Sequence, residues 1–296
     1  MKSVFGFIVV TLLLQSCIAQ SPSIDTTTND NTLLWEVSGN GLTKSSYLFG
    51  TFHIMCKDDI KFSENLKTAL KSTKEVYFEM DLDDATNTLG GIFFMNMKDT
   101  TLKDLYTDEE YQKVSSYFKD SLKTDIKFLN KMKPLMLEAF LFPKMMACKN
   151  TSGVELELMA IAQKNKLLIN GFETIAFQSG MLDSIPYRTQ AKELLKQLDS
   201  LALSKLQLDS MLTIYRNQET DKLQKLMSAE SFGEVGNNDL LLKNRNQNWV
   251  AQMKEILKNE NIFVAVGAAH LFGKDGLIEL LRKEGYTVKG IVNRDD

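Results

Sequence analysis

The chain has only two histidines, and both end the same short motif. One motif is Gly50-x-x-His53 and the other is Gly267-x-x-His270. Each follows an apolar run typical of a buried strand, and groups just past the carboxyl ends of strands in an α/β sheet converge on the ligand crevice. Glycine at that point lets the backbone turn sharply or approach a ligand closely. The matched pair therefore predicts one shared site, whereas either histidine alone would more often be a structural residue.

A carboxylate, Glu79, lies within a third strand-like run, residues 75–80, where an unpaired charge would be costly to bury. A metal ion or a protonated histidine would relieve that cost. Together with His53 and His270, it would supply two imidazoles and a carboxylate, the ligand set of several hydrolytic zinc sites. The alternative interpretation places Glu79 on the exposed face of an edge strand.

Two further charged residues are candidates for catalytic roles. Arg245 precedes Trp249 by one helical turn on the same face, so the guanidinium can lie over the indole and point inward to stabilise an oxyanion. Glu173 follows a short strand candidate and could act as a base or hold another site residue. The alternative for Arg245 is a surface side chain packed over Trp249.

Strand patterns cluster towards the two ends of the chain, and helical patterns fill the middle. This order predicts one α/β domain over residues 32–296, with a mixed sheet built from N- and C-terminal strands and a helical middle insertion at about 100–235. The predicted strands are 33–38, 46–50, 75–80, 167–170, 262–266 and 286–292, and the main predicted helices are 63–72, 135–146, 153–165, 186–230, 238–259 and 274–284. Thr107 and Glu110 form a capping box that predicts one further helix.

The bulk composition excludes some partners. The formal net charge is -3 and the pI is about 5.6, so the chain has no basic field to attract a polyanion. We therefore expect no nucleic-acid partner.

Residues 1–19 predict an export signal. Lys2 precedes an apolar stretch, residues 4–14, that is shorter than the ~20 residues of a spanning helix. The sequence Leu-Gln-Ser-Cys ending at Cys17 resembles a bacterial lipobox, which would make the acylated Cys17 a membrane tether. Cleavage after Ala19 and a buried N-terminal helix are the alternatives. Residues 20–31 read as a flexible tether, and we expect a periplasmic protein or an outer-membrane lipoprotein.

Cys56 and Cys148 are the two cysteines that remain when Cys17 is removed or acylated. An even pair in an oxidising compartment predicts a disulfide. The alternative is a nucleophilic Cys56, because this thiol follows His53 by three residues.

Taken together and in this order, the motifs resemble the TraB/GumN family, which includes the Tiki proteases that trim Wnt proteins. The resemblance runs from about residue 33 to 291. The motifs that carry it are residues 48–53, 77–81, Lys133-Pro134, residues 171–174, Arg245-Asn246 with Trp249, residues 265–271 and residues 280–288.

The resemblance implies a metal-dependent peptidase, reported for the animal members with manganese or cobalt. It implies that His53, His270 and Glu79 hold a divalent ion, that Arg245 is the family's helix arginine, and that the substrate is a peptide or protein. With the zinc-type ligand set described above, the candidate ions are Mn, Co and Zn. Where relatives often carry Gly-Leu-Asp, this chain has Glu155, which leaves its role open. Two alternatives remain. One is a metal-free hydrolase like the distantly similar erythromycin esterases, with a histidine base oriented by Glu79, and the other is a binding or regulatory module without turnover.

Overall fold

A six-stranded mixed sheet forms the centre of the protein. The computed structural model describes residues 31–81, 83, 94–226 and 239–294. The strands of the sheet are β1 (Leu34–Ser38), β2 (Ser46–Thr51), β4 (Glu75–Met80), β6 (Leu168–Glu173), β7 (Ile262–Gly267) and β8 (Thr287–Gly290). A separate two-stranded ladder joins β3 (Met55–Cys56) to β5 (Thr151–Ser152). The predicted α/β class is confirmed.

Helices surround the sheet and fill the middle of the chain. They are α1 (Glu64–Lys71), α2 (Leu102–Leu105), α3 (Asp108–Leu122), α4 (Pro134–Glu138), α5 (Phe142–Met145), α6 (Val154–Lys164), α7 (Ile175–Asp183), α8 (Tyr187–Asp199), α9 (Leu201–Arg216), α10 (Thr220–Leu226), α11 (Asn244–Ile256) and α12 (Leu277–Lys283). Short 3-10 turns cover Lys57–Asp59, Ile126–Leu129 and Ala268–His270, and a π-helical turn, Asp239–Lys243, leads into α11.

The order of the strands is β6-β4-β7-β2-β1-β8, and the first four of them run parallel to one another. The register pairs Gly50 of β2 with Val266 of β7, and Met80 of β4 with Glu173 of β6. All four carboxyl ends therefore lie at one edge of the sheet. On the other side of the sheet, β1 pairs antiparallel with β2, and β8 pairs antiparallel with β1.

The core packs against both faces of the sheet. In β7, Phe263 and Ala265 join the cluster formed with the middle helices, while Val264 and Val266 join the cluster that contains Trp249. A strand buried on both faces reads as an unbroken apolar run, which is why Ile262–Gly267 was recognisable in the sequence.

Several local signals act as predicted. The Ser63 hydroxyl accepts the Leu66 N–H at the start of α1, and Thr107 and Glu110 form both hydrogen bonds of a capping box at α3. Such bonds satisfy backbone N–H groups that have no partner within the helix.

The structure also differs from the predicted elements. β6 continues to Glu173 rather than ending at residue 170, and this edge strand lies inside the range predicted as the helical insertion. The predicted helix 135–146 is divided into α4 and α5 because Pro143, in the first turn of α5, cannot donate within a helix. The predicted stretch 186–230 is broken at Ser200 and at Gln218, where φ is +53°.

Cys56 and Cys148 form the predicted disulfide, with 5.8 Å between their Cα atoms. The nucleophile interpretation of Cys56 is therefore wrong for this state, because the sulfur is already bonded. The predicted signal peptide, Cys17 and nearly all of the tether lie outside the described residues. Among the helices that are described, none has the length and apolar character needed to cross a membrane.

Candidate functional site

Residues that follow or end the four parallel strands meet at their common edge. His53 lies two residues beyond β2, and His270 ends the 3-10 turn that follows β7. Glu79 is the penultimate residue of β4, and Glu173 is the last residue of β6. The strand topology thus brings together four groups that are separated by as much as 217 positions in sequence (270 − 53).

Gly267 marks the centre of the cluster. A Cβ atom built on it would lie 3.1 Å from Glu79 Oε1, 3.8 Å from His270 Cδ2 and 3.9 Å from His53 Nε2. The missing side chain keeps this space open, so both imidazoles and the carboxylate face one small cradle. His53, His270 and Glu79 are therefore brought together as the sequence predicted.

Gly50 has a different purpose. Its added Cβ would lie 3.0 Å from the Leu271 side chain and 3.1 Å from the Cα of Ala268. Glycine is needed here so that the turn carrying His270 can pack directly on β2. The two motif glycines therefore act through close packing in one case and an open site in the other.

Arg245 of α11 links the acidic residues. Its Nη2 donates to Glu79 Oε2 at 2.7 Å and to Glu173 Oε2 at 2.8 Å, and its Nε donates to Glu173 Oε1 at 2.9 Å. The guanidinium also stacks on Trp249, with 4.7 Å to the ring centroid. Since Arg245 is buried, the surface interpretation is wrong, although the predicted contact with Trp249 is present.

The hydrogen bonds of His270 fix its tautomer. Nε2 lies 3.1 Å from Arg245 Nη1, and arginine can only donate, so Nε2 carries a lone pair. Nδ1 lies 2.6 Å from Asn246 Oδ1, while the Asn246 amide nitrogen donates to the carbonyl oxygens of His270 and Asp275. The imidazole is therefore neutral with its proton on Nδ1. Burial lowers the pKa of His270 to about 3, which agrees with this state.

His53 has a contrasting environment. Its side chain is 74% exposed, and its Nδ1 lies 2.7 Å from Glu155 Oε1. The same Glu155 oxygen accepts a 2.6 Å hydrogen bond from the Thr51 hydroxyl. The hydrogen bond and charge of Glu155 raise the pKa of His53 to about 9. The two histidines thus differ in both accessibility and charge.

Glu79 lies in an interior strand between β6 and β7, so the edge-strand interpretation is wrong. Burial alone would raise the pKa of this carboxyl group, but the positive charges of His270, which is protonated at such acid pH, and of Arg245 outweigh burial and lower the pKa to about 2. The backbone N–H of Gly267 also donates to Glu79 Oε1 at 2.9 Å. Glu79 is therefore a carboxylate at neutral pH.

Glu173 supports the cluster from the edge strand. Besides Arg245, it accepts hydrogen bonds from the indole of Trp249 at 2.9 Å and from the Gln178 side chain at 3.0 Å. With both oxygens occupied by these donors, its position favours holding Arg245 over abstracting a proton.

Three residues important to this geometry had no assigned role in the sequence. Glu155 holds His53, Thr51 holds Glu155, and Asn246 holds His270. Asn246 follows Arg245 directly, so the motif was visible but its partner was not. Glu155 lies in α6, over 100 residues after His53, and tertiary contacts that include the β3–β5 ladder bring the two together.

The cluster at the Gly267 cradle contains donor groups that a divalent ion could use. His53 presents Nε2 towards the Gly267 cradle, His270 presents Cδ2, the carbon bonded to its Nε2, and Glu79 presents Oε1, which lies 3.7 Å from His270 Nε2. Two imidazoles and a carboxylate are donors of the type that such an ion binds. Within the described residues, however, no group of three or more His, Cys, Asp or Glu side chains is already arranged as a metal site. Arg245 is the reason on the His270 side, because its Nη1 covers the Nε2 lone pair.

The fold and site define an α/β protein with a histidine–carboxylate centre at the carboxyl edge of a parallel sheet. The model of the TraB/PrgY/gumN family matches residues 33–290. The chain belongs to this family. No curated protein and no solved structure matches it significantly.

Proposed function

We propose that the protein is a hydrolase that cleaves peptide bonds at this centre, with a divalent ion held by His53, His270 and Glu79. The observation that carries the proposal is the convergence of both imidazoles and the Glu79 carboxylate on the space beside Gly267. An open space lined by two imidazoles and a carboxylate contributes nothing to apolar packing of the core.

The orientation of the two rings supports the metal-dependent form. In each histidine, Nδ1 is held by an oxygen atom, from Glu155 in one case and Asn246 in the other. Partners of this kind turn Nε2 towards a ligand and are usual for metal-binding histidines. When bound, such an ion supplies Lewis-acid activation of a carbonyl group and of water.

The protein's own residues have separate roles in this proposal. Exposed His53 leaves the centre open on one side, where a peptide can enter. Arg245 supplies the fixed positive charge that stabilises negative charge developing on the carbonyl oxygen. Glu173 holds the guanidinium in place through Nε and Nη2.

A metal-free hydrolase is the second candidate, and the position of Arg245 favours it. A cation already lies on the lone pair of His270 Nε2 and on Glu79. In this candidate the exposed His53 accepts a proton from water in its neutral form, whose share grows as the pH approaches the His53 pKa of about 9. Glu155 rather than Glu79 would orient it, because Glu155 bonds its Nδ1.

Export to the periplasm or outer membrane is part of the same proposal, with Cys17 as the lipidated tether. The Cys56–Cys148 disulfide supports it, since such bonds persist mainly outside the reducing cytoplasm. The expected partner is a peptide or protein substrate, and nucleic acid is not expected.

Elemental analysis of the purified protein tests the metal-dependent form. After dialysis against Mn²⁺, Co²⁺ or Zn²⁺ and removal of free ion, we expect about one ion per wild-type chain and a clear loss in His53→Ala, His270→Ala and Glu79→Gln. Glu75→Gln, on the same strand β4, is the matched control and should retain the ion. Equal metal in wild type and His53→Ala would overturn the ligand assignment.

Hydrolysis of a peptide library by the same samples separates the two candidates. The metal-dependent form requires that chelator abolishes cleavage and that added ion restores it. Cleavage indifferent to chelator would favour the metal-free form. Failure of wild type to cleave any peptide or ester under either condition would leave the binding-module alternative.

A further inference from the structure

We infer that Glu155 is the positioning residue of His53. The expected effect on catalysis rests on the proposed function, whereas the contact between Glu155 and His53 does not depend on it. Glu155 Oε1 lies 2.7 Å from His53 Nδ1, and among the described residues no other side chain hydrogen-bonds this imidazole.

The carboxylate is itself held in place. Its side chain is 11% exposed, and Thr51, the last residue of β2, donates a 2.6 Å hydrogen bond to the same oxygen. Thr51 and His53 are two positions apart on the segment that leaves the sheet. Glu155 therefore ties the imidazole to the end of the strand from which that segment extends.

The backbone brings the two segments into this contact. The Val154 N–H donates to the Phe52 carbonyl oxygen at 3.0 Å, and β3 pairs with β5 immediately beyond. Gly153 permits the approach, because a Cβ there would lie 2.8 Å from the His53 carbonyl oxygen. The Cys56–Cys148 disulfide closes the same pair of segments.

The consequence is a defined direction for Nε2. With Nδ1 held by Glu155, the opposite nitrogen faces the Gly267 cradle, 3.9 Å from the position of the added Cβ. A side chain that is 74% exposed would otherwise sample several rotamers and both tautomers in water. Glu155 thus converts a mobile surface histidine into a directed one.

Imidazole NMR tests this without any turnover. Because the full chain has two histidines, ¹⁵N-histidine labelling gives two ring systems, and His53→Ala assigns them. After chelator dialysis, we expect a downfield Nδ1 proton for His53 in wild type and its loss in Glu155→Ala. Glu157→Ala, two residues along α6 and paired with Lys57 instead, is the matched control and should retain the signal.

If Glu155→Ala does not fold, Glu155→Gln replaces it, and the Nδ1 proton should move upfield because a neutral amide is a weaker acceptor. A His53 signal unchanged by removal of the Glu155 charge would overturn the inference. Equal loss of the signal in Glu157→Ala would also overturn it, because Glu155 would then only help to fold the segment.

Peptide hydrolysis supplies the second readout. We expect kcat to fall roughly 10–100-fold in Glu155→Ala, with KM little changed, and Glu155→Asp to recover much of the loss. A wild type that cleaves nothing would defeat the proposed function while leaving the NMR result standing. A wild-type kcat in Glu155→Ala would defeat the positioning role alone.

Discussion

Arg245 and His270 meet through nitrogen atoms, with Nη1 of the guanidinium 3.1 Å from Nε2 of the imidazole. Only one protonation state of His270 permits this contact. The neutral ring sits between a cation on one nitrogen and the Asn246 oxygen on the other. Arg245 is thus the central charge of the site, because it also neutralises Glu79 and Glu173.

Replacement of Arg245 should destabilise the fold strongly. Arg245→Met would leave two nearly buried carboxylates without their cation, and breaking a buried pair costs about 3–5 kcal/mol. Urea unfolding measures this cost. Arg216→Met is the matched control, because its pair with Asp59 is exposed and should contribute ~0–1 kcal/mol. Equal losses of unfolding free energy in the two variants would show that the buried ion pairs stabilise the fold no more than the exposed one.

The disulfide should contribute to stability as well as to geometry. The cysteines are 92 positions apart, and closing so long a loop removes about 4–5 kcal/mol of unfolded-state entropy in the simple chain model. The Cys56→Ser/Cys148→Ser double variant should therefore unfold at lower urea concentration than the oxidised protein. Reduced wild type should match the double variant. If added reductant destabilised the double variant as much as the wild type, the loss would not come from this bond.

The sequence predicted which residues meet at the sheet edge better than it predicted the element boundaries. Paired Gly-x-x-His motifs after apolar runs located His53 and His270, because parallel strands bring their carboxyl ends to one edge. Glu79 was found because a carboxylate among strand-forming residues requires a partner. All three residues were recognisable from local pattern and from the general geometry of a sheet.

What the sequence could not supply was the set of partners. Glu155 reaches His53 through a two-residue ladder and a disulfide, neither of which has a periodic signal. The partners of Lys133 were not predictable either. Its side chain is wholly buried, and its ammonium group forms an ion pair with Asp183 and a hydrogen bond with Ser179. Its Lys-Pro motif was recognisable, but the tertiary contact that makes a buried lysine tolerable was not.

Stability should decrease between mildly acidic and mildly alkaline pH because of Glu138. Burial, with the nearby charge of Glu193, raises the pKa of Glu138 to about 8. The folded protein therefore holds a proton that the unfolded chain releases at about pH 4.5, so the free energy of unfolding falls as pH rises from about 4.5 to 8 and then levels off. The loss is on the order of a few kcal/mol.

Glu138→Gln tests this directly, since an amide cannot titrate. Urea unfolding is measured at intervals from pH 5 to pH 9. The free energy of unfolding of the variant should increase relative to that of the wild type as the pH rises. Glu109→Gln, an exposed residue of α3, would serve as the control for a general effect of net charge. Parallel curves for wild type and Glu138→Gln would show that this carboxyl group does not titrate with folding.

Gly267→Ala should remove activity while leaving the fold nearly intact. The Gly267 backbone has φ −49° and ψ 134°, which alanine adopts without strain, but the new methyl group would lie 3.1 Å from Glu79 Oε1 and within 4 Å of both histidines. It would fill the space on which the proposed reaction depends. We expect kcat/KM to fall at least roughly tenfold, which is equivalent to about 1.4 kcal/mol. The free energy of unfolding should change much less. Gly180→Ala in α7 is the control, since nothing lies within 4 Å of its added methyl group. Full activity in Gly267→Ala would mean that the open cradle is not where the chemistry occurs.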